Sequence, residues 1–271
     1  MAQLFARDAF EGKSVLITGG TSGIGAAAGK VFADAGASVM LYGRSVERGH
    51  AVRDEILQSG GTAEFFQGDV TQSSSADAAV AATVEKFGSL DILFANAGIF
   101  KTSSFVDTAD ADWQDVIDIN LTGEFYFGRA AARQMIAQGR GGAIVNMASE
   151  SGLEAFPATA AYGVANAGRV MLTKAMAADL SLHKIRVNVI CPGDVDTPMH
   201  EAVWTGLTDL PEAEWREMAA SVYPLGRVST SEEIANVVAF LASDFASNMT
   251  GSVVSVDGGN VAVKGLPEGA G

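Results

Sequence analysis

Short apolar runs alternate with longer amphipathic segments along the whole chain. The short runs have the length of strands, and several are almost continuously apolar, which is typical of strands buried on both faces of a sheet. These predicted strands are Ser14–Thr18, Ser38–Tyr42, Ala63–Gln67, Leu90–Ala95, Ala143–Ala148, Arg186–Cys191 and Ser252–Val256. The longer segments have helical spacing and comprise Gly23–Ala35, Val46–Gln58, Ser73–Phe87, Ala111–Gln138, Ala160–Leu182 and Ser231–Ser243. This alternation predicts one α/β domain over residues 1–271, with a parallel sheet covered by helices on both faces.

The segment at about residues 199–227 interrupts the alternation before the last long helix. It contains Trp204 and Trp215 together with two prolines. A connection of this length in a compact domain is usually functional or mobile. We therefore expect one or two short helices that form a substrate lid; a packed surface excursion is the alternative.

Composition supports a globular protein and narrows its partners. Apolar residues make up 48% of the 271 residues and charged residues 18%, which is enough apolar material for a sizeable core. The formal net charge is −14, so a nucleic-acid partner is not expected. No run approaches the roughly 18 apolar residues of a membrane span, and the N-terminal residues lack the apolar core of a signal peptide. We expect a cytoplasmic protein with no membrane partner.

The cysteine and the histidines do not indicate a site. Cys191 is the only cysteine, which excludes an intrachain disulfide and fits a reducing compartment. It ends a predicted strand, so a core position is favoured over a nucleophile. His50, His183 and His200 lack the spacing of metal ligands, and no metal site is predicted.

A glycine-rich turn joins the first predicted strand to the first predicted helix. Glycine allows sharp turns and close approach of the backbone to a ligand, and the free N–H groups of a helix start attract anions. A turn of this kind at the first strand–helix junction predicts pyrophosphate binding by a dinucleotide. The predicted contacts are Gly19, Thr21, Ser22, Gly23, Ile24 and Gly25.

The spacing Thr-Gly-x-x-x-Gly-x-Gly in this turn resembles that of the short-chain dehydrogenase/reductase family, and later motifs follow in the order of that family. They are Asn96-Ala97-Gly98, Asn120, Ser149, Tyr162 13 residues further on, Pro192-Gly193, Thr197-Pro198 and Val256-Asp257-Gly258-Gly259. The resemblance extends from about Phe10 to Val261. It implies a single-domain Rossmann fold with a seven-stranded parallel sheet, a nicotinamide cofactor, a small carbonyl or alcohol substrate, and a homotetramer or homodimer.

The end of the second strand bears on the choice between NADP(H) and NAD(H). An acidic residue there binds the ribose hydroxyls of NAD(H) and repels a 2′-phosphate. Here that position is Gly43, followed by Arg44, whose guanidinium can pair with the phosphate, and by Ser45, which can donate a hydrogen bond. The sequence favours NADP(H) over NAD(H). A solvated arginine that opens the next helix is the alternative for Arg44.

The resemblance implies further cofactor contacts beyond the second strand. Asp69 and Val70 match the pair that contacts adenine, although Asp69 as a helix cap is an alternative. The nicotinamide side is implied to be Asn96, Gly98, Pro192, Gly193, Val195 and Thr197, with the Val195 N–H and the Thr197 hydroxyl on the carboxamide and the pro-S hydride facing substrate. The residues expected to face substrate are Glu150, Glu154, Phe156 and, on the lid, Trp204.

Ser149 and Tyr162 are the predicted catalytic pair. Hydride transfer to a carbonyl leaves negative charge on oxygen, which needs a proton donor and a hydrogen bond. The resemblance implies Tyr162 as the acid/base, Ser149 as the hydrogen-bond donor and Asn120 as the holder of a water in a proton relay. Asn120 as the cause of a helix kink is the alternative.

Asn166 stands where the family has a lysine, four residues after Tyr162. Asparagine can still reach the cofactor ribose or hold a water, but it carries no charge. We therefore expect Tyr162 to keep a pKa near the ordinary value of about 10. Three interpretations follow: an active reductase that uses Asn166, a disabled variant, or a cofactor-binding sensor or scaffold with little catalysis.

Overall fold

The computed structural model describes residues 5–263. The strands are β1 Ser14–Thr18, β2 Ser38–Gly43, β3 Thr62–Gln67, β4 Ile92–Ala95, β5 Gly142–Met147, β6 Ile185–Pro192, β7 Val195–Asp196, β8 Ser229–Thr230 and β9 Val253–Val256. Within the described residues, seven of them form a parallel sheet in the order β3-β2-β1-β4-β5-β6-β9. The predicted single-domain Rossmann fold is confirmed.

The strand order of the sheet reverses at β1, because β2 and β3 lie on one side of it and β4 and β5 on the other. Val15 of β1 pairs with Val39 of β2 on one side and with Ile92 of β4 on the other. The loops that follow β1 and β4 therefore run to opposite sides of the sheet. In open α/β sheets this topology opens a crevice at the carboxyl ends of the strands, where ligands bind.

Helices cover both faces of the sheet. They are α1 Gly23–Asp34, α2 Val46–Gln58, α3 Ser73–Phe87, α4 Asp110–Val116, α5 Gly123–Gln138, α6 Ala160–Leu180, α7 Pro198–Leu207, α8 Glu212–Ser221 and α9 Ser231–Ala242. Val15 and Ile17 of β1 enter the core beneath α1 and α9, whereas Leu16 enters the core beneath α3, α5 and α6. Successive strand residues enter different cores, which explains the continuous apolar pattern of the strand.

The prediction of a single helix over residues 111–138 is wrong in one respect. The chain forms α4, then a π-helical turn Ile117–Thr122, and then α5. Asn120 lies in that turn, fully buried, where its Nδ2 donates to the Ile99 carbonyl at 2.9 Å and its Oδ1 accepts from the Ile99 N–H at 2.8 Å. The helix is thus distorted at Asn120, and the side chain ties it to the segment after β4. Such turns are frequent at functional sites.

The segment predicted as a lid contains two short helices, α7 and α8, as expected. The rings of Trp204 and Trp215 stack with their centroids 6.1 Å apart. Strand β7 pairs with β8, so that Val195 lies opposite Ser229 and the two ends of the segment are held together. This small sheet was not predicted. A lid movement stays a prediction.

Candidate active site

A groove with two connected lobes crosses the carboxyl ends of the strands. The first lobe lies beside β1 and β2, and the second lies beside β5 and β6. The sequence-predicted site residues that line the groove are Gly19, Thr21, Ser22, Gly23, Ile24, Arg44, Ser45, Asp69, Val70, Asn96, Gly98, Asn120, Ser149, Tyr162, Pro192, Gly193, Val195 and Thr197. The structure therefore brings most of the predicted site together, and Gly25 and Asn166 are the two that do not line it.

The first turn of α1 presents uncapped backbone to the groove. Ser22 precedes the helix, and its side chain makes no capping hydrogen bond. The backbone of Gly23 has φ +50°, and a Cβ there would lie 3.1 Å from Thr197 Cγ2. Gly25 instead packs behind the turn, since a Cβ would lie 2.2 Å from the Gly19 carbonyl oxygen. Uncapped N–H groups and the positive end of the helix dipole make this turn an anion cradle.

The β2 end of the groove has no room for an acidic side chain. A Cβ on Gly43 would lie 2.7 Å from Thr21 Cγ2. Arg44 and Arg48 are exposed and both line the lobe. Ser45 Oγ accepts a hydrogen bond from the Arg48 N–H at 3.4 Å and so caps α2, which leaves the hydroxyl free to donate. Arg48 follows Arg44 by one helical turn and is not among the contacts predicted from the sequence.

Asp69 forms a turn after β3 and does not cap a helix. Its Oδ1 accepts from the Thr71 N–H at 3.0 Å and from the Thr71 hydroxyl at 2.9 Å. Gln72, not Asp69, holds the cap position of α3. The helix-cap alternative is therefore wrong. Val70 packs closely on Gly123, where a Cβ would lie 3.0 Å from Val70 Cβ.

Asn96 joins the end of β4 to the glycine turn. Its Nδ2 donates to the carbonyls of Thr18 at 3.1 Å and Gly19 at 3.2 Å. Its N–H donates to Thr18 Oγ1 at 2.9 Å. On the other side of the groove, Thr197 Oγ1 accepts from the His200 N–H at 3.2 Å and starts α7. These bonds fix both walls where the lobes meet.

Ser149 and Tyr162 lie together in the second lobe. Ser149 Oγ accepts from the Ser151 N–H at 3.2 Å, which leaves its hydroxyl free to donate. The Tyr162 ring packs edge-on against Phe100, with the centroids 4.9 Å apart. Burial raises the pKa of the Tyr162 phenol above its ordinary value, and Ser149, Arg169 and Asn166 lower it in part. The expectation of a pKa near the ordinary value is therefore replaced by a raised pKa.

Asn166 turns its side chain back toward its own helix. It is fully buried, and its Nδ2 donates to the Tyr162 backbone carbonyl at 2.9 Å. Its Oδ1 lies 3.5 Å from Arg169 Nη1. The amide thus supports Tyr162 and Arg169 rather than lining the groove.

Arg169 is a second candidate functional residue that was not predicted from the sequence. It lines the second lobe, yet only 3% of it is exposed. Its Nη2 donates to the Ala97 carbonyl at 2.6 Å, and its Nε lies 2.9 Å from Glu124 Oε2. It follows Tyr162 by two helical turns, so the helical period signals that both lie on one face.

The substrate side differs in part from the expectation. Glu150 lines the lobe, but it is held by the Tyr223 hydroxyl and by Asn260 Nδ2, each 3.1 Å away. Burial raises the pKa of Glu150 to about 7. Glu154, Phe156 and Trp204 are not among the lining residues of the groove. Instead, α7 contributes Met199, His200 and Val203.

We also searched the described residues for a reactive cysteine, a metal site and a membrane-spanning helix. Cys191 is fully buried, and burial raises the pKa of its thiol to about 12, as suits a core residue. Residues 5–263 contain no group of three or more His, Cys, Asp or Glu side chains placed to hold a metal ion. None of the described helices is both long and apolar enough to cross a bilayer.

Known proteins resemble the chain over nearly its whole length. A family model described as enoyl-(acyl carrier protein) reductase matches residues 19–260. The chain is 38% identical to the 3-oxoacyl-(acyl-carrier-protein) reductase FabG of Chlamydia muridarum, over 91% of this chain and 96% of the relative. It is 39% identical to trans-4-hydroxycyclohexanecarboxylate dehydrogenase of Sinomonas cyclohexanicum, over 95% of this chain and 96% of the relative.

A solved structure shows the same fold. The crystal structure of a short-chain type dehydrogenase/reductase from Mycobacterium marinum superposes with a TM-score of 0.87 at 36% identity, covering 94% of this chain and 97% of the other. The sequence motifs, the fold and these relatives all indicate the same family. The chain belongs to the short-chain dehydrogenase/reductase family of oxidoreductases.

Proposed function

We propose that the protein is an NADP(H)-dependent oxidoreductase that interconverts a ketone and a secondary alcohol, with Tyr162 as the acid/base. The observation that carries this proposal is a groove whose two lobes share Asn96, Gly98 and Thr197 as lining residues. It has an anion cradle in one lobe and the Ser149–Tyr162 pair in the other. A dinucleotide bound along it spans the two lobes.

The residues present fit a nicotinamide dinucleotide. The uncapped start of α1 and the space kept free by Gly23 suit a pyrophosphate. The free oxygen of Asp69 suits an adenine amino group, and Asn96 with Gly98 lines the path to the second lobe. Val195 and Thr197 close that path from the other wall.

The bound cofactor supplies a hydride to the carbonyl carbon of the substrate, or accepts one in the reverse direction. Tyr162 gives its phenolic proton to the carbonyl oxygen during reduction and takes a proton from the alcohol during oxidation. Ser149 donates a hydrogen bond to the same oxygen, which strengthens as negative charge develops there. Asn120 and Asn166 hold the neighbouring backbone of Ile99 and Tyr162 in place.

The test of this proposal is consumption of NADPH with a panel of ketones. The panel includes a 3-oxoacyl thioester and 4-oxocyclohexanecarboxylate, which correspond to the names of two relatives. Ketone-dependent loss of NADPH absorbance supports the proposal. The uncharged Asn166 favours a second candidate, an impaired or non-catalytic NADP-binding sensor. NADPH binding without turnover of any ketone supports that candidate.

The two directions are expected to differ in pH dependence. Burial raises the pKa of Tyr162, so the phenol is neutral and ready to donate near pH 7. Oxidation needs the phenolate and is expected to accelerate as pH rises toward that pKa, whereas reduction is fastest below it. Rate profiles in both directions measure this. Parallel profiles contradict the assignment of Tyr162.

Arg44 is expected to select NADP(H). Arg44 lines the lobe next to Gly43, where a Cβ would lie 2.7 Å from Thr21 Cγ2. Arg44→Ala is expected to weaken NADPH binding by about 1–3 kcal/mol and to leave NADH binding nearly unchanged, because a charge-assisted contact is lost. Titration of both cofactors measures this, with Arg53→Ala as a control. Equal affinity of the parent for the two cofactors contradicts the proposal.

Part of the surface predicted to meet a partner copy is buried within the chain. The sequence predicts a partner contact through small residues of α5 and α6, namely Ala130, Ala131, Ala132, Ala165, Ala167, Gly168 and Ala175. Of these, Ala130, Ala131, Ala132 and Ala165 are buried within the chain. The outer face of α6 still presents Val164 and Met171, which are 50% and 63% exposed.

We propose that this α6 face, with Val164 and Met171, packs against a second copy. Val164→Glu with Met171→Glu is expected to yield monomers in sedimentation equilibrium at micromolar concentration, because charge opposes burial of the face. Leu182→Glu, at a 90% exposed position beyond α6, is the control. A parent chain that is already monomeric contradicts this proposal.

A further inference from the structure

A buried cation lies near Tyr162 although the usual lysine is absent. Arg169 is 3% exposed, and its guanidinium is held at three points. Nη2 donates to the Ala97 carbonyl at 2.6 Å, Nε lies 2.9 Å from Glu124 Oε2, and Nη1 lies 3.5 Å from Asn166 Oδ1. Arg169 borders the lobe that contains Tyr162.

The burial of the Arg169–Glu124 ion pair calls for an explanation. An ion pair buried in a protein is weak evidence for stability, because apolar residues of similar volume often stabilise as well or better. A positive charge near Tyr162 has a chemical role, because a phenolate forms on Tyr162 whenever its proton has been given to substrate. A cation nearby stabilises that phenolate.

The geometry also shows which part of the groove the cation reaches. A Cβ on Gly98 would lie 3.6 Å from Arg169 Nη1 and 3.5 Å from Asn120 Oδ1. The guanidinium therefore lies beside the segment that joins the two lobes. Asn166 contributes by holding Nη1, and its short neutral side chain leaves space for the arginine.

We propose that Arg169 supplies the positive charge that residue 166 lacks, and that it acts through Tyr162 as a positioning residue for proton transfer. This inference rests on the acid/base role of Tyr162 in the proposed function. The chain thus places its cation two helical turns after the tyrosine. Glu124 on α5 and Asn166 on α6 fix that cation in place.

Other ionisable groups near Tyr162 either oppose or add to the effect of Arg169 on the Tyr162 pKa. Asp194, in the loop after β6, raises the pKa of Tyr162, whereas Arg169 lowers it. Glu150 after β5 and His200 on α7 line the same lobe. Burial raises the pKa of Glu124 to about 8, whereas the neighbouring Arg169 lowers it.

The test measures the titration of Tyr162 directly. The chain has four tyrosines, so protein labelled with 3-fluorotyrosine gives four ¹⁹F resonances, and Tyr162→Phe assigns one of them. Fluorination lowers the phenol pKa, so the titration is followed at lower pH than with tyrosine itself. Two variants that differ only at residue 169 are compared: Glu124→Gln, and Glu124→Gln with Arg169→Gln.

The Tyr162 pKa is expected to be higher by about one unit or more in the double variant than in Glu124→Gln. Lys174→Gln, which removes an exposed charge from the same helix, is expected to leave the pKa unchanged. Equal pKa values in the two variants overturn the inference. If the double variant fails to fold, Glu124→Gln is compared with the parent: a lower Tyr162 pKa supports the inference, and an equal one overturns it.

The readout separates this inference from the proposed function, because it needs no turnover. In an active enzyme the pH profile of alcohol oxidation is also expected to move to higher pH in the double variant. A pKa difference in a protein that is inert toward every ketone contradicts the proposed function and supports the role of Arg169. Turnover with equal pKa values supports the function and overturns the role of Arg169.

Discussion

Replacing Tyr162 with Phe is expected to lower kcat/KM for ketone reduction by about 10²- to 10⁴-fold, the usual contribution of a positioned acid. The phenyl ring keeps the edge-on contact with Phe100, so the lobe keeps its shape. Only the proton donor is lost. The measurement is steady-state reduction of a ketone that the parent accepts.

The matched control for this substitution is Tyr126→Phe, since Tyr126 is partly buried on α5 and does not line the groove. NADPH affinity is expected to be unchanged in both variants, which separates chemistry from binding. A Tyr162→Phe enzyme with parent-like kcat/KM contradicts the assignment of the acid.

Asn166→Lys is expected to destabilise the protein rather than restore a missing part. Asn166 is fully buried, and its Oδ1 lies 3.5 Å from Arg169 Nη1. A lysine there places a second cation beside the guanidinium. An unpaired buried charge costs about 3–5 kcal/mol, so the free energy of unfolding is expected to fall by that order. Denaturant unfolding measures the change.

The informative partner of this substitution is Asn166→Lys made in a protein that also carries Glu124→Gln and Arg169→Gln, and compared with that protein, because Glu124→Gln avoids leaving a buried carboxylate without its partner. It moves the cation from residue 169 to residue 166 and removes the repulsion. This variant is expected to recover at least half of the lost stability and to keep a rising oxidation rate with pH. Equal stability losses with and without Arg169 contradict the coupling of the two positions.

Much of the fold could be predicted from the sequence because strands buried on both faces must be apolar throughout. Residues such as Val15 and Leu16 enter opposite cores, and this pattern identifies β1 without any structure. The π-helical turn at Asn120 has no such signal, because the segment Ile117–Thr122 is too short to show a period of its own. The β7–β8 pair is too short to have a pattern.

The candidate site was predictable where it depends on backbone position and not where it depends on side-chain direction. The glycine turn, Ser149 and Tyr162 follow from their places after strands and on a helix. The direction of the Asn166 amide, toward its own helix, is set by packing. Arg169 was within reach of the helical period, but its pairing with Glu124 on another helix requires the packed structure.

The central claim is hydride transfer from a nicotinamide held along the groove to a ketone beside Tyr162. The most direct test uses NADPH deuterated at the pro-S position of C4, together with an accepted ketone. We expect the deuterium to appear on the carbinol carbon of the product, and we expect Tyr162→Phe to slow its transfer by about 10²- to 10⁴-fold. Deuterium that stays on the oxidised cofactor, or transfer at the parent rate in Tyr162→Phe, would contradict the account.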